Sequence, residues 1–470
     1  MPVSKGILLN LKDAAAPREP RLAGLPLLLR AVLTAQRAGL EELFIVGGHH
    51  PGGLLTRDPR VKLRWHWLPV EEEPDELAAL RAVGHRLHEP FVLLFADSII
   101  GPKAMDALLH AELNAKLARI AIHAGTAEQL DGASPASAGV SLYLCSAQLL
   151  KRAEEAPKEL KRVDEFIQWL EGGKADPSSR PAGLGRTRAG VGRTTGGTAP
   201  VDRVEVEGKL WPRTSDQQAL QRIEREFAHC NLKPSDGIFA RFNKLVVAES
   251  LIRLAVRTPA TPNFITALGL LFALFSGWAF AEGSYAWSLA GAFLAYVSAI
   301  MDHIDGMVAR LKFLESEFGV WFESAVDYAS YLAIFIGLSI GLWRETGFAH
   351  HLVVGGLFLF GWVLSFILQS RQRMLISGDN PTDYPNRIHT ALEKHEQNLF
   401  HWFTRRVYFL VRRAVLPYFI MLFCLLDLRV LLLGFVTLGA NVVWLMIFYN
   451  NRLFRRHAAP PPEPHPTEAD

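Results

Sequence analysis

Apolar residues change their spacing near the middle of the 470-residue chain. Before about residue 235, short apolar runs alternate with amphipathic segments, which is the pattern of strands and helices in an α/β domain. From residue 258 to residue 451 the chain carries long stretches without charge, which are typical of helices that cross a bilayer. The pattern therefore predicts an α/β domain followed by an all-α membrane domain.

The first segment, residues 1–235, is predicted to contain seven strands and four helices. The strands are expected at residues 6–11, 42–46, 61–68, 91–95, 119–124, 140–145 and 204–208. The helices are expected at residues 25–38, 74–87, 102–115 and 163–170. Because the two kinds of element alternate, we expect a mostly parallel sheet. Residues 172–200, rich in Gly, Ser, Thr, Pro and Arg, are predicted to form a flexible insertion or else a basic surface-binding segment.

Six membrane-spanning helices are predicted within residues 258–456, because a span needs about 20 apolar residues. They are expected at residues 258–281, 283–301, 328–343, 347–370, 414–426 and 430–451. The fifth span is short and contains Pro417, so it must extend back past Arg413. Residues 457–470 are predicted to be a disordered tail.

Lys and Arg are concentrated at both ends of the membrane segment and in the loops after its second and fourth spans. The opposite loops carry only Arg344 and Arg429. Because basic loops stay in the cytoplasm, we expect a multi-pass integral membrane protein with both termini on the cytoplasmic side. Residues 236–257 place apolar and basic residues at helical spacing, which predicts an amphipathic helix on the membrane surface; a soluble linker helix is the alternative.

The overall composition narrows the class of protein. Half of the residues are hydrophobic and the mean hydropathy is +0.14, which excludes a disordered or collagen-like chain. The 50 basic residues against 47 acidic ones provide no polycation that would bind nucleic acid. The three cysteines form no CxxC pair, so neither a disulfide framework nor a zinc site is supported. Residues 1–6 lack the pattern of a cleavable signal peptide.

Four carboxylates interrupt the apolar pattern: Asp302, Asp305, Glu323 and Asp327. A carboxylate inside a spanning helix is costly unless it is paired or bound to a ligand. Asp302 and Asp305 are three residues apart, and Glu323 and Asp327 are four apart, so each pair shares one face of a helix. The turn at residues 311–318 is so short that the two helices must pack antiparallel. We therefore expect the two acidic faces to meet.

Converging carboxylates repel one another unless cations neutralise them. Hard divalent ions, Mg²⁺ or Mn²⁺, are the natural partners, and we expect two of them. Gly306 and Gly319 leave room for a ligand to lie against the backbone. Such a site suits phosphoryl transfer, in which metal ions hold a diphosphate and a nearby carboxylate takes the proton from an attacking hydroxyl.

The sequence from Asp302 to Asp327 resembles the signature of the CDP-alcohol phosphotransferases, or CDP-alcohol phosphatidyltransferases. That signature is DxxDGxxAR, eight residues, then GxxxDxxxD, and seven of its eight fixed positions match at the right spacing. The departure is Glu323, where the family has Asp, and its side chain is one methylene longer. Residues 262–266 also resemble the family's Pro-Asn-x-x-Thr element. The resemblance covers residues 236–451.

The resemblance implies roles for individual residues. The metal ligands would be Asp302, Asp305, Glu323 and Asp327, and Asp327 would also be the catalytic base. The nucleotide-binding residues would be Gly306, Ala309, Arg310, Gly319, Asn263, Thr266 and Ser316.

Residues 1–235 resemble a Rossmann-like sugar nucleotidyltransferase domain, the kind fused to bifunctional inositol-phosphate cytidylyltransferase/di-inositol-phosphate-phosphate synthases. The resemblance rests on the order of residues 25–28, 38–39 and 44–48 and on Phe95-Ala96-Asp97, in which Asp97 would hold a metal ion. Trp211 and the following Ser215-Asp216 resemble the closing element of that domain.

The chemistry of such a domain is mostly missing here. Residues 10–17, in place of a phosphate-binding loop, contain no glycine pair, and Leu27 replaces a lysine. Pro212 and Arg213 replace the second metal carboxylate. We therefore interpret the domain as degenerate and retained for docking, regulation or stability. His49 and His50 are interpreted as solvated loop residues.

The sequence therefore predicts a membrane-bound, metal-dependent transferase of phospholipid biosynthesis. An alcohol would attack the β-phosphate of a CDP-linked donor, such as CDP-diacylglycerol, and release CMP. The alternative donor and acceptor are CDP-inositol and an inositol phosphate. Further alternatives are a retired membrane scaffold and a cation transporter. Expected partners are the donor, the alcohol and membrane lipid, with no nucleic acid, and a homodimer is compatible with the sequence.

Overall fold

The structure is a computed structural model, and it describes residues 3–11, 19–47, 50–70, 75–84, 86–110, 113, 116–122, 142–170, 201–205, 209–211, 213–232, 238–377 and 415–457. The chain divides into two compact units. The first unit comprises residues 1–232 together with 311–313, and the second unit comprises the other residues after 232. The predicted insertion at residues 172–200 and residues 458–470 of the predicted tail lie outside the described residues.

The first unit contains short strands and helices in alternation. Its described strands are β1 (Lys5–Asn10), β2 (Arg21–Leu22), β3 (Leu25–Pro26), β4 (Glu42–Gly47), β5 (Arg64–Pro69), β6 (Phe91–Phe95), β7 (Ile99–Ile100), β8 (Ala118–Ile122), β9 (Leu142–Cys145), β10 (Val201–Glu205) and β11 (Leu210–Trp211). Its described helices are α1 (Leu27–Arg37), α2 (Gly52–Leu55), α3 (Glu76–Val83), α4 (Pro102–Leu109), α5 (Gln148–Glu155), α6 (Val163–Leu170) and α7 (Gln217–Cys230).

Seven of these strands form one sheet in the order β10-β8-β9-β6-β1-β4-β5. Strand β9 runs antiparallel to both of its neighbours, and the other neighbouring strands are parallel. A parallel pair needs a crossover, and the helices between the strands provide it. The prediction of a mostly parallel α/β sheet is confirmed.

Both faces of the sheet are buried. Successive side chains of a strand point to opposite faces, and on β1 the side chains of Ile7 and Leu8 accordingly enter two different apolar clusters. Helices α3, α5 and α6 contribute to the cluster around Ile7. Helices α1 and α4 contribute to the cluster around Leu8. The unit is therefore a sheet between two layers of helices.

The predicted strands are all present, with ends that differ by up to three residues from those expected. The helices expected at residues 74–87 and 102–115 end earlier, at Val83 and Leu109. Helices α2, α5 and α7 were not predicted. The signal for α7 was in the sequence, because Asp216 accepts the backbone N–H groups of Gln218 and Ala219 as an N-cap, and Leu220 and Phe227 follow at helical spacing on the buried face.

The second unit is helical throughout its described residues. It contains α8 (Ile238–Phe242), α9 (Glu249–Arg257), α10 (Pro262–Ala281), α11 (Tyr285–Lys312), α12 (Glu317–Thr346), α13 (His350–Ser377), α14 (Leu416–Leu425) and α15 (Arg429–His457). Five of them, α10 to α13 and α15, are long and apolar enough to cross a membrane. The expectation of an α/β domain and a helical membrane domain is confirmed.

The fifth predicted span corresponds to α14, which has 10 residues. Its expected extension falls in residues 378–414, outside the described part of the chain, and so stays a prediction. Helices α11 and α12 are longer than the predicted spans, at 28 and 30 residues, because their carboxylate-bearing ends continue the helices.

The segment predicted as one amphipathic helix is interrupted. A π-helical turn, Asn243–Val247, separates α8 from α9. Apolar side chains such as those of Ile238, Val246 and Leu254 are exposed, beside exposed Arg257. Exposed apolar and basic side chains on one helical segment are typical of a helix at the bilayer surface. The location of this segment at the membrane surface stays a prediction.

Helices α10 and α12 pack backbone to backbone along three glycines, Gly277, Gly337 and Gly341, which we call the glycine seam. A Cβ atom added to Gly337 would lie 2.0 Å from the carbonyl oxygen of Gly277. One added to Gly341 would lie 1.9 Å from the carbonyl oxygen of Phe280. Small residues allow such close approach of membrane helices, and the seam fixes α12 against α10.

Candidate active site

Helices α11 and α12 bring the carboxylates together because only residues 313–316 connect them. Phe313 has a left-handed backbone with φ of 55° and so helps to reverse the chain. The hydroxyl of Ser316 then accepts the backbone N–H of Gly319 at 3.0 Å and caps α12. Ser316, predicted to bind nucleotide, therefore has a structural role in this structure.

Three of the four predicted metal ligands converge. Carboxylate oxygens of Asp302, Glu323 and Asp327 all lie within 4.8 Å of one another. Asp327 is buried, whereas the other two side chains are partly exposed. Glu323 therefore reaches the cluster despite its extra methylene. Like charges at this separation repel strongly unless a cation lies between them.

Asp305 lies beside this group, and its side chain is 3% exposed. Its Oδ2 atom accepts a hydrogen bond from the hydroxyl of Thr266 on α10. Its Oδ1 atom is buried and has no hydrogen-bond partner among the described residues. Burying a carboxylate oxygen without a partner is unfavourable, and a bound cation would satisfy it. The donor set, all hard oxygens, fits Mg²⁺ or Mn²⁺.

A cavity of about 30 Å³ is lined by Asp305 and by two of the converging carboxylates, Asp302 and Asp327. Its polar lining comes from three helices and comprises Thr266, Ser298, Asp302, Asp305, Asp327, Ser330 and Tyr331. A space of this size holds an ion or a water molecule but not a nucleotide. Sequence reasoning missed Ser298, Ser330 and Tyr331. Ser298 lies four residues before Asp302, and Tyr331 lies four after Asp327, so the helical period carried that signal.

Thr266 lines this cavity, and the other predicted nucleotide-binding residues lie in two places. A Cβ atom on Gly306 would lie 3.5 Å from Nη1 of Arg310, so the guanidinium group lies over a bare stretch of backbone. Ala309, between these two residues, is half-buried. At the start of α12, a Cβ atom on Gly319 would lie 3.5 Å from Oδ1 of Asn263. Both glycines thus keep polar groups close to open backbone.

In the first unit, the predicted metal-holding Asp97 accepts a hydrogen bond from Nε of Arg213 at 2.9 Å. His50 is exposed, and its Nδ1 accepts the N–H of Gly52 at 2.9 Å, which is a local turn contact. His49 and the phosphate-loop positions 12–17 lie outside the described residues.

Residues 259–392 match the family described as CDP-alcohol phosphatidyltransferase. A "Bifunctional IPC transferase and DIPP synthase" of Rubrobacter xylanophilus is 25% identical over 360 residues, which cover 71% of this chain and 74% of that protein. An "Archaetidylinositol phosphate synthase" of Methanothermobacter thermautotrophicus is 32% identical over 96 residues, 20% of this chain and 48% of that protein. A solved structure, the inositol-1-phosphate CTP transferase from T. maritima, is 12% identical with a TM-score of 0.36, over 49% of this chain and 97% of that one.

The family match and the relatives named as transferases and synthases support an enzyme that transfers substituted phosphate groups. The match to the family described as CDP-alcohol phosphatidyltransferase spans residues 259–392, and every predicted site residue of the second unit lies in that range. The match to the Rubrobacter relative covers 71% of the chain, more than the half that follows residue 232, so it includes part of the first unit. The predicted resemblance and the predicted enzyme class are confirmed.

Proposed function

We propose that this protein transfers a phosphatidyl or phospho-alcohol group from a CDP-linked donor to an alcohol and releases CMP. The observation that supports this proposal is the convergence of Asp302, Glu323 and Asp327 beside the buried, half-satisfied carboxylate of Asp305. Inert helix contacts do not need four neighbouring carboxylates, because each adds repulsion and a desolvation cost.

The four carboxylates would hold two divalent cations, Mg²⁺ or Mn²⁺. When bound, such ions offset the charge of a diphosphate and polarise the phosphorus–oxygen bond that breaks. The hydrogen bond from Thr266 fixes one oxygen of Asp305, and the other oxygen has no hydrogen-bond partner among the described residues. A conformationally fixed ligand loses little entropy when the cation binds.

The protein's own groups then perform the following steps. Arg310, over the bare backbone at Gly306, holds the phosphates of the donor by charge-assisted hydrogen bonds. Asp327 accepts the proton of the acceptor hydroxyl, whose oxygen forms a bond to the β-phosphorus of the donor. The bond between that phosphorus and the oxygen bridging to the α-phosphate breaks, and CMP leaves with the electron pair. Gly319 and Asn263 would flank the cytidine-bearing part of the donor, with Ala309 providing a small surface.

Two donors are compatible with this chemistry. A lipid-linked donor, such as CDP-diacylglycerol, would give a phospholipid and would approach from the bilayer around α10 to α13. A water-soluble donor, CDP-inositol, with an inositol phosphate acceptor is favoured by the name of one relative, a bifunctional IPC transferase and DIPP synthase. The name of the other relative, an archaetidylinositol phosphate synthase, favours the lipid-linked donor. The first unit, predicted at residues 1–235, would be an accessory domain if the donor is lipid-linked. It would be a vestige of donor synthesis if the donor is water-soluble.

We place the site at the cytoplasmic face, because Arg310 and Lys312 end α11 next to the carboxylates, and basic residues favour that side. Both termini would lie on the same side. Residues 258–456 would form the membrane domain, preceded by the surface segment at residues 236–257.

The test is CMP release by the full chain purified in detergent. CDP-diacylglycerol and CDP-inositol are each supplied with a panel of alcohols and with Mg²⁺ or Mn²⁺. We expect metal-dependent CMP release with one donor class and a loss of at least about 10³-fold in Asp327→Asn, which removes the base and a ligand. Glu317→Gln is the matched control, because this exposed carboxylate on α12 lies outside the cluster.

Equal CMP release by Asp327→Asn and Glu317→Gln would contradict the proposal. If no donor gives CMP release and the reconstituted protein carries cations across a vesicle membrane, the transporter alternative is favoured. Absence of both activities would favour a membrane scaffold.

A further inference from the structure

The first unit keeps the position where an open α/β sheet binds its ligand. Strand order reverses between β6 and β1, and ligands of such sheets bind outside the carboxyl ends of the strands at that reversal. Asp97 lies two residues after β6 and therefore at this point. Asp97 is also the residue that resembles the metal-holding carboxylate of a sugar nucleotidyltransferase domain.

Arg213 occupies this location. Its Nε donates to Oδ1 of Asp97 at 2.9 Å, and its Nη1 donates to Oε1 of Glu76 at 2.6 Å. The guanidinium carbon lies 3.7 Å from the centre of the Phe95 ring, which adds a cation–π contact. One guanidinium group thus bridges the carboxylate that follows β6 and the carboxylate at the start of α3.

The fold places Arg213 there by backbone contacts. Strand β11 pairs antiparallel with β7, which follows Asp97 directly, so the residues after β11 return to the end of β6. The N–H of Thr214 donates to the carbonyl oxygen of Asp97 at 3.4 Å. Glu76 is held in turn, because its other oxygen accepts the N–H of Val163 at 2.9 Å. The arrangement is therefore built from several elements.

This donor set does not fit a divalent metal ion. A cation bound to Asp97 would lie next to a permanent positive charge, and like charges at that distance repel. The guanidinium group already bonds one oxygen of each carboxylate, and the N–H of Val163 bonds the second oxygen of Glu76. Burial alone would lower the pKa of Arg213, but Asp97 and Glu76 raise it above its usual value, so the group stays charged.

We propose that Arg213 is a built-in cation that replaces the divalent ion of a nucleotidyltransferase site, so that the first unit binds no metal–nucleoside triphosphate. Without that complex the chain cannot transfer a cytidylyl group from CTP to a phosphate monoester with release of pyrophosphate. A separate cytidylyl-transfer reaction must then supply the donor. This last consequence rests on the proposed function of the second unit, whereas the role of Arg213 does not.

The test counts Mn²⁺ ions bound to the full chain in detergent by the loss of the free-ion electron paramagnetic resonance signal. We expect Asp97→Asn to bind as many ions as the unsubstituted chain, because Asp97 is already paired. Arg213→Ala exposes two carboxylates, so we expect it to bind one additional ion. Arg213→Lys keeps the positive charge and should bind no additional ion. The additional ion should disappear in the double variant Arg213→Ala/Asp97→Asn.

Two results would overturn the proposal. One is a loss of a bound Mn²⁺ ion in Asp97→Asn alone, which would show that Asp97 holds metal despite Arg213. The other is folded Arg213→Ala that gains no ion. If Arg213→Ala does not fold, Asp97→Asn still decides the question. Exchange of labelled pyrophosphate into CTP by the unsubstituted chain would also contradict the proposal.

The failure of this proposal is distinguishable from failure of the transferase proposal. CMP release depends on the carboxylates of the second unit, whereas the additional Mn²⁺ ion and pyrophosphate exchange depend on Asp97. A chain that releases CMP and also exchanges pyrophosphate would refute only the inference about Arg213.

Discussion

Replacing Gly337 with alanine would force two membrane helices apart. The new Cβ atom would lie 2.0 Å from the carbonyl oxygen of Gly277 and 2.7 Å from its carbonyl carbon. Ordinary van der Waals contact begins at 3.4 Å, so the backbones must separate by about 1.4 Å, the difference between 3.4 and 2.0 Å. Because backbone atoms cannot move aside as a flexible side chain can, we expect the upper end of overpacking costs, about 3 kcal/mol.

The displacement would also reach the active site. Asp327 precedes Gly337 by ten residues on α12, about 15 Å along the helix axis, and Thr266 lies on the opposing helix α10. A misplacement of about 1 Å costs about 10²-fold in rate, so we expect a similar loss of CMP release. Stability is measured by unfolding in mixed detergent micelles, followed by circular dichroism.

Gly356→Ala on α13 is the matched control, because a Cβ atom there would meet nothing within 4 Å. It should keep full activity and gain up to about 1 kcal/mol from the higher helix propensity of alanine. If Gly337→Ala is as stable and as active as Gly356→Ala, the close packing that we describe for α10 and α12 is wrong.

Three further variants test individual contacts. Glu323→Asp draws a carboxylate back from the cluster by about one bond length, so we expect CMP release to fall about tenfold and to need more Mg²⁺. Thr266→Val removes the hydroxyl that donates to Asp305 and should lower CMP release by about tenfold at unchanged fold. The hydrogen bond from Arg60 lowers the pKa of Asp58 in the folded chain, so the contact stabilises the fold above the unfolded pKa, and this contribution is lost as pH falls through the folded pKa. Asp58→Asn should therefore be less stable at pH 7 and lose less stability in acid, as measured by unfolding across pH.

The results that would contradict these expectations are specific. A faster enzyme in Glu323→Asp would show that the longer side chain impairs the native site. The control is Thr346→Val, at the far end of α12, where the hydroxyl donates only to the Leu342 carbonyl among the described contacts. Equal CMP release by Thr266→Val and Thr346→Val would mean that the contact of Thr266 with Asp305 does not affect activity. An unchanged pH profile in Asp58→Asn would mean that its ion pair does not contribute to folding.

The carboxylate cluster was predictable because helical periodicity and a short connection leave little freedom. Residues three and four apart share a helix face, and four connecting residues force an antiparallel pair, so Asp302, Glu323 and Asp327 meet. The sequence could not show that Asp305 turns one oxygen to Thr266, because that contact joins residues 39 positions apart. It also did not separate the capping role of Ser316 from nucleotide binding, since a helix N-terminus uses a serine in both cases.

In the first unit, local patterns predicted the strands, but pairing between distant segments was not accessible. The antiparallel direction of β9 depends on which strands become its neighbours, and residues 123–141 before it lie outside the described part. Arg213 was recognised as a departure from a metal-binding pattern. Its partner Glu76 lies 137 residues away, and no local period connects the two.

Because α10 and α12 touch backbone to backbone along the glycine seam, they can move only as one rigid body. Asp327 on α12 and Thr266 on α10 therefore keep a fixed separation. Any adjustment of the site when a substrate binds then has to come from α11, the helix that carries Asp302 and Asp305.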